Sequence, residues 1–289
     1  MQVAQSRLYS LRALVNLTNS KDTAMRAKFD HLVIYVSNLE EAITDFTDLG
    51  FEVSRGGAHG ATENALIIFS NQVYIELLAW VPVWYTPLLR TVNRLGILQW
   101  LADRKGTIYC RLLNWVTGPQ GPVDWCVRVD DLAAQLGSWK NAEMDVLKSE
   151  QFSRERVDGQ ILRWYLGGTR SFDLPFMLED ITPIDMRIPP LTEGAHPNGA
   201  LALEQIQFSV NNKATSNALT AKFLSPEIFA QDKQTTTFGM GAVKVSFEQR
   251  PMPCKVSLTV SCSGSQTHPL DIGKSHGIQI ELVPSNLNT

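Results

Sequence analysis

The run Phe29-Asp30-His31-Leu32-Val33-Ile34-Tyr35-Val36, with Asn38 behind it and Gly50 twelve residues further on, decides the fold. Leu32, Ile34 and Val36 alternate with His31, Val33 and Tyr35, the period of a strand with one wholly apolar face. Asn38 suits the N-cap of a helix over 39–49, and Gly50 suits its stop. Residues 51–54, 65–69 and 73–80 then read as three further strands, so the unit is β-α-β-β-β. Residues 56–59 read as a turn between the first two of them.

The same pattern returns downstream. Residues 123–129 are strand-like, Asp131 can cap a helix over 132–140, and 146–156, 160–166 and 175–181 supply three strands. Leu39 and Leu132 follow strands of equal phase. Tyr74-Ile75-Glu76-Leu77 aligns with Phe176-Met177-Leu178-Glu179 after a one-residue slide. A third, looser copy begins at Leu203: 205–210 alternates, 214–224 can be a helix, and 241–247 and 255–261 are strand-like before Gly277-Ile278-Gln279-Ile280-Glu281-Leu282. Internal repetition of this kind dictates architecture. The expected fold is α+β, built from repeated βαβββ units, with an N-terminal extension over 1–26, a two-unit domain over 27–183, a Pro/Gly-rich linker over 184–200 and a C-terminal unit over 201–289. Residues 84–115 are apolar and aromatic at helical spacing, which fits either a cover over a pocket mouth or plain core packing.

Composition narrows the function classes. A chain of 289 residues, 44% hydrophobic and 19% charged, is an ordinary globular protein rather than a disordered one. A net charge of −3 without a Lys/Arg cluster argues against nucleic-acid binding. No run of about 18 apolar residues is available for a membrane span. Cys110, Cys126, Cys254 and Cys262 form no CxxC pair, so a disulfide framework or zinc finger is not expected and a reducing, cytoplasmic setting is. Residues 1–21 carry Arg7, Arg12 and Lys21 with no acid before Asp22; a mitochondrial presequence is the other reading of that composition.

Polar groups recur on the strand faces opposite the apolar ones: His31 in the first copy, Asp124, Cys126 and Arg128 in the second, Gln205, Gln207 and Ser209 in the third. Glu76, Glu179 and Glu281 each sit in a strand of apolar neighbours near the end of a copy. A carboxylate there is costly unless it is paired or binds metal, so these three are the first candidates for a site.

Paired units that carry Phe29-Asp30-His31-Leu32-Val33-Ile34, Gly56-Gly57-Ala58-His59 with Asn64-Ala65-Leu66, Tyr74-Ile75-Glu76-Leu77, Val123-Asp124-Trp125, Leu162-Arg163-Trp164 and Pro175-Phe176-Met177-Leu178-Glu179-Asp180 resemble the vicinal-oxygen-chelate superfamily, which includes glyoxalase I, extradiol dioxygenases and bleomycin-resistance proteins. Together with His196-Pro197-Asn198-Gly199-Ala200, the match is closer to the glyoxalase-like domain proteins, over about residues 29–210. The resemblance implies a barrel wall formed by two units, with one metal ligand from each first strand and one from each last strand. By position these are His31, Glu76, Asp124 and Glu179; if the third copy pairs with the first, Gln205 and Glu281 replace Asp124 and Glu179. Zn, Fe, Mn and Ni all suit such donors. An ion pair between Asp124 and Arg128 is the alternative use of Asp124.

The implied activity is a metal-assisted isomerase or lyase step on a small oxygenated, aromatic or apolar metabolite. Glu179 or His59 would move the proton, and Tyr35, Arg128, Arg163 and Trp164 would bind substrate. A ring-cleaving dioxygenase and a non-catalytic, resistance-type binder are the alternatives. The partner is a small molecule, with neither nucleic acid nor membrane involved and a homodimer as the candidate assembly. The apolar residues of 1–25 follow no clear period, so this segment is expected to pack poorly against the body. Deleting it should leave the melting temperature, followed by circular dichroism, within a few degrees of the full chain.

Overall fold

The computed structural model describes residues 26–59, 62–81, 92, 96, 100, 103–156, 159–191, 194–231, 236–249 and 254–285. The N-terminal segment over 1–25 and half of the apolar stretch over 84–115 lie outside the described residues. No helix among those described is long and apolar enough to cross a membrane.

The first unit is β1 (Lys28–Tyr35), α1 (Leu39–Asp48), β2 (Ser54–His59), β3 (Thr62–Ile68) and β4 (Tyr74–Trp80). Asn38 caps α1 through its side-chain oxygen, which accepts from the amides of Glu40 and Glu41, while Leu39, Ala42 and Phe46 face the core. Helix α2 (Tyr109–Thr117) intervenes before the second unit of β5 (Gly121–Arg128), α3 (Leu132–Asn141), β6 (Val146–Glu155), β7 (Ile161–Thr169) and β8 (Phe176–Asp180). Asp131 caps α3 by accepting from the Ala134 amide. The eight strands form one sheet in the order β2-β3-β4-β1-β5-β8-β7-β6. In it β1 runs parallel to β4, β5 parallel to β8, and β1 antiparallel to β5. That register relates the two units by an approximate two-fold axis between β1 and β5.

Beyond the short helix α4 (Ile184–Arg187), the third unit comprises β9 (Ala200–Val210), α5 (Lys213–Phe223), β10 (Glu227–Gln231), β11 (Thr236–Met240) and β12 (Val243–Gln249). The strands β13 (Val256–Cys262), β14 (His268–Pro269) and β15 (Ile278–Pro284) complete a seven-stranded sheet, β10-β11-β12-β9-β13-β15-β14. Here β13 lies antiparallel to β9 and parallel to β15, as β5 lies beside β1 and β8. So 256–284 is a fourth, helix-less unit rather than the end of the third. The third unit therefore pairs with the fourth and not with the first. Gln205 and Glu281 flank Thr259 in the second sheet, away from His31 and Glu76, which removes them as alternative ligands of the first barrel.

The apolar face of each sheet packs on the other. Leu32, Ile34, Trp125 and Val127 from the first sheet share one core with Ile206, Phe208, Val245 and Leu258 from the second, and the Trp125 and Phe208 rings lie 4.9 Å apart. The opposite face of the first sheet curls around a second cluster, in which Val33, Tyr35, Cys126, Phe176 and Leu178 meet Trp115 and Val116 of α2. Part of the apolar insert thus sits inside the curl of the sheet.

One local expectation fails. Residues 56–59, read as a turn, belong to β2, which pairs with β3 through Gly57↔Asn64 and His59↔Thr62 with a bulge after Arg55. Tertiary pairing overrides the weak strand propensity of two glycines. Gly56 is required there, because a Cβ would fall 2.2 Å from the Asn64 side-chain oxygen.

The Pro/Gly-rich stretch after β8 is pinned by His196. Its Nδ1 accepts from the Glu52 amide at 2.9 Å, and its Nε2 donates to the Ile68 carbonyl at 2.9 Å. Phe51 and Phe69 pack against the ring. The bond accepted from the Glu52 amide needs the neutral imidazole, and burial lowers the pKa of His196. An unfolded histidine protonates near pH 6.5, whereas the folded one resists. Stability contributed by His196 is therefore complete above that pH and lost as the pH falls below it. Urea unfolding should show the wild-type free energy dropping between pH 7.5 and 5.5, with a shallower slope in His196→Gln. Parallel slopes would show that His196 does not carry the effect.

Candidate functional site

A β-bulge builds the polar centre. The pairing of β1 with β5 passes from Phe29↔Val127 to His31↔Cys126, leaving Asp30 as the extra residue. Bulges re-aim side chains in this way. Asp30 is fully buried, and its Oδ1 lies 2.7 Å from His31 Nδ1. Burial by itself pushes the Asp30 carboxyl up; Arg187 and His31 more than reverse this and hold it well below the usual carboxylate range. Arg187 Nη1 and Nη2 donate to Asp30 Oδ1 and Oδ2, each at 2.9 Å, and Arg128 Nη1 donates to Oδ2 at 3.2 Å. Arg187 spends its other contacts on Asp180, at 2.7 and 2.9 Å, and on the Tyr74 hydroxyl at 3.1 Å. An ionised Asp30 can only accept, so His31 Nδ1 carries the shared proton, and Nε2 is the ring nitrogen turned to the cavity.

His31 Nε2 faces Glu76 Oε2 at 3.5 Å. Glu76 Oε1 accepts from Asn64 Nδ2 at 2.5 Å. The His31 ring stacks on Tyr74 with centroids 4.4 Å apart and meets the edge of Phe176 at 5.3 Å. Burial pushes the Tyr74 hydroxyl well above its ordinary pKa, so it stays protonated. These groups line a cavity of about 160 Å³ whose remaining walls are mostly apolar: Leu66, Leu78, Leu112, Trp115, Phe152, Trp164, Leu166 and Leu178. Arg154 of β6 and Glu63 of β3 are further charged residues that line this cavity, beside Arg187.

His31 and Glu76, two of the four ligands that the resemblance implies, share one cavity, and Trp164 lines it as well. The remaining candidates are placed elsewhere. Asp124 is buried and salt-bridged to Arg111 of α2, whose Nε and Nη2 donate to it at 2.6 and 2.8 Å; Trp115 Nε1 donates at 2.8 Å. Its partner is therefore Arg111 and not Arg128, and it docks α2 instead of offering a ligand. Glu179 points to the other face of β8, where its Oε2 accepts from the Leu132 amide at the start of α3. The residue that occupies the place of Glu76 is Leu178: Glu76 pairs with Leu66 on β3, and Leu178 with Leu166 on β7. The one-residue slide in the repeat alignment exchanged the two faces of the strand. Tyr35 packs in the cluster around α2, Arg128 is held by Asp30, and Arg163 is exposed on the outer face of β7. His59 ends β2, and its side chain lies outside what is described.

Asp30, Asn64, Tyr74, Arg154 and Arg187 were not singled out by the sequence. Strand alternation offers a signal for Arg154, which shares a face with Phe152, and for Tyr74, which shares one with Glu76. None exists for Asp30, hidden by the bulge, or for Arg187, in a stretch that reads as linker.

Asp30, His31 and Cys126 bring ligand atoms within 4.8 Å of one another, the spacing of a metal centre. How those donors are occupied decides which could serve. Asp30 is committed to two guanidinium groups. Burial pushes the Cys126 thiol well above its ordinary pKa, and its sulfur donates to the Val127 carbonyl at 3.6 Å. The donors open to a divalent ion are His31 Nε2 and Glu76, with the His31 Nδ1–H oriented by a carboxylate as in metal-binding imidazoles.

A family model for the glyoxalase-like domain matches residues 29–224. The chain belongs to this family, within the vicinal-oxygen-chelate superfamily. Among solved structures, a hypothetical protein from Staphylococcus aureus is similar at 16% identity and a TM-score of 0.68, covering 90% of this chain and 100% of that one. A Mn(II)-bound glyoxalase from Novosphingobium aromaticivorans is similar at 7% identity and a TM-score of 0.51, covering 89% of this chain and 82% of that one. At these identities the likeness concerns the fold. No curated protein sequence matches the chain significantly.

The glyoxalase-like frame gives the Asp124 pair a structural task that can be measured. Asp124→Ala leaves a buried guanidinium unpaired, and urea unfolding should record a loss of about 3–5 kcal/mol. The apolar double variant Arg111→Met, Asp124→Leu should regain much of it.

Proposed function

We propose that the cavity is the active site of an enzyme that moves a proton on a small oxygenated, ring-bearing substrate, an isomerase- or lyase-type step. One observation carries this reading: Nε2 of His31, whose Nδ1 is held by Asp30 behind it, faces Glu76 across a mostly apolar cavity. In such a site His31 Nε2 takes a proton from a carbon next to a substrate carbonyl. Return of that proton to a neighbouring atom completes an isomerisation; departure of a leaving group completes a lyase step. Asn64 holds Glu76 in place, and Trp115, Phe152 and Phe176 keep water from the reacting atoms. Low-dielectric walls strengthen the interactions of these few polar groups.

A second reading has the same pair hold a divalent ion, and the spacing of the Asp30, His31 and Cys126 donor atoms favours it. His31 and Glu76 would bind that ion, which would supply a Lewis acid to substrate oxygens. Metal content of tag-free protein separates the two readings.

Wash-in of deuterium from solvent, followed by NMR over a panel of small aryl ketones and hydroxyketones, tests the reaction class. At least one compound should exchange. His31→Gln and Glu76→Gln should each slow that exchange by about 10²-fold or more, with melting temperatures close to wild type. Exchange that survives both variants removes the proposal. Ligand binding with no exchange at all leaves the site a binder.

A further inference from the structure

We propose that the cavity selects a small organic anion, a single ring bearing a carboxylate, and that Arg154 is the residue that reads the charge. The proposal rests on the reading of the cavity as a small-molecule site and adds the chemical class of its occupant.

Three of the arginines on this side of the first sheet are treated differently. Arg111 satisfies every N–H, with Asp124 and the carbonyls of Thr169, Ser171 and Leu174 as acceptors. Arg187 does the same with Asp30, Asp180 and Tyr74. Arg154 also lines the cavity and is partly buried, yet no hydrogen bond or ion pair reaches it among the described residues. A guanidinium carries five donors in a planar fork that matches a carboxylate edge to edge. Withdrawing such a group from water without an acceptor is costly, and burial accordingly pushes its pKa down. An occupant with a carboxylate would remove that cost.

The frame makes room for the head group. β2 and β6 are the two edges of the sheet, and the curl brings Gly56 of one against Arg154 of the other. A Cβ at Gly56 would lie 3.0 Å from Arg154 Nη1, so the glycine lets the guanidinium occupy the seam. Glu76, tied to Asn64 and facing His31, attracts Arg154 without reaching ion-pair distance, so the donors of the guanidinium stay available to a ligand. The walls between are Trp115, Phe152, Trp164 and Phe176, surfaces for the flat face of a ring. A volume of about 160 Å³ suits one ring, since an engineered apolar cavity of about 150 Å³ takes benzene.

Titration calorimetry at pH 7 with benzoate and its neutral isostere benzamide tests this. Wild type should bind benzoate at least tenfold more tightly than benzamide. Arg154→Gln should lose at least tenfold for benzoate and leave benzamide unchanged; Arg154→Lys should fall between, because the fork is replaced by a point charge. The melting temperature of the Arg154 variants should stay near wild type. Equal binding of the two compounds by wild type, or benzoate affinity untouched in Arg154→Gln, overturns the role of Arg154 and leaves the small-molecule site standing. Failure of both compounds to bind at millimolar concentration overturns both readings together.

Discussion

Asp30 is the residue on which the rest of the site depends. A carboxylate withdrawn from water costs several kcal/mol unless it is fully paired, and Asp30 has no exposure at all. It is kept ionised by Arg187, from the segment after the second unit, and by Arg128, from β5. One buried charge thereby ties together β1, β5 and α4. The same charge holds the His31 proton on Nδ1 and leaves Nε2 turned to the cavity. Had the bulge not turned Asp30 to this side, His31 would be an ordinary buried imidazole with an undetermined tautomer.

The two units share a backbone plan and divide the chemistry unequally. His31 beside Tyr74 in the first unit corresponds to Cys126 beside Phe176 in the second, and Glu76 corresponds to Leu178. The first unit supplies ionisable groups. The second supplies an apolar wall and Arg154. Cys126 packs in the buried cluster with Phe176 and Leu178, and burial keeps its thiol neutral. Helix α2 fills the curl of the sheet because Asp124 and Arg111 satisfy each other where neither could stay unpaired. A buried pair of this kind specifies position more than it stabilises, and here the position is that of Trp115 against Phe176, 4.8 Å apart on the cavity wall. The second sheet gives the first its back. It covers an apolar face that no single two-unit sheet could bury, which is why Leu32, Trp125, Phe208 and Leu258 read as core with no polar neighbour on that side.

Local pattern carried much of this architecture. Strand alternation in β1, β5 and β9 correctly separates core faces from polar faces, because the period of two is a property of the backbone itself. Asn38 and Asp131 announce their helices, since orphan amides at a helix start need a nearby acceptor. The repeat of β-α-β-β-β was legible for the same reason, whereas His31 and Glu76 were brought together only by the family resemblance. The β10 and β11 strands were not, as Glu227–Gln231 is an exposed edge with no burial pattern to follow.

The sequence by itself determined the unit, its repetition and the apolar faces, all of which follow from periods and caps spanning a few neighbours, while family resemblance set His31 beside Glu76. Only the tertiary structure decided register, and register decided the site. A one-residue slide separates Glu179, bound to a helix amide on the outer face, from Leu178 on the cavity wall. A bulge separates Asp30 from the face its position in the alternation would assign. The pairing of the third unit with a fourth, the reach of Arg187 from a Pro/Gly-rich stretch and the approach of Arg154 to Gly56 all join residues far apart in the chain. Such contacts are fixed by how sheets curl and pack, and that depends on every strand at once rather than on any local run.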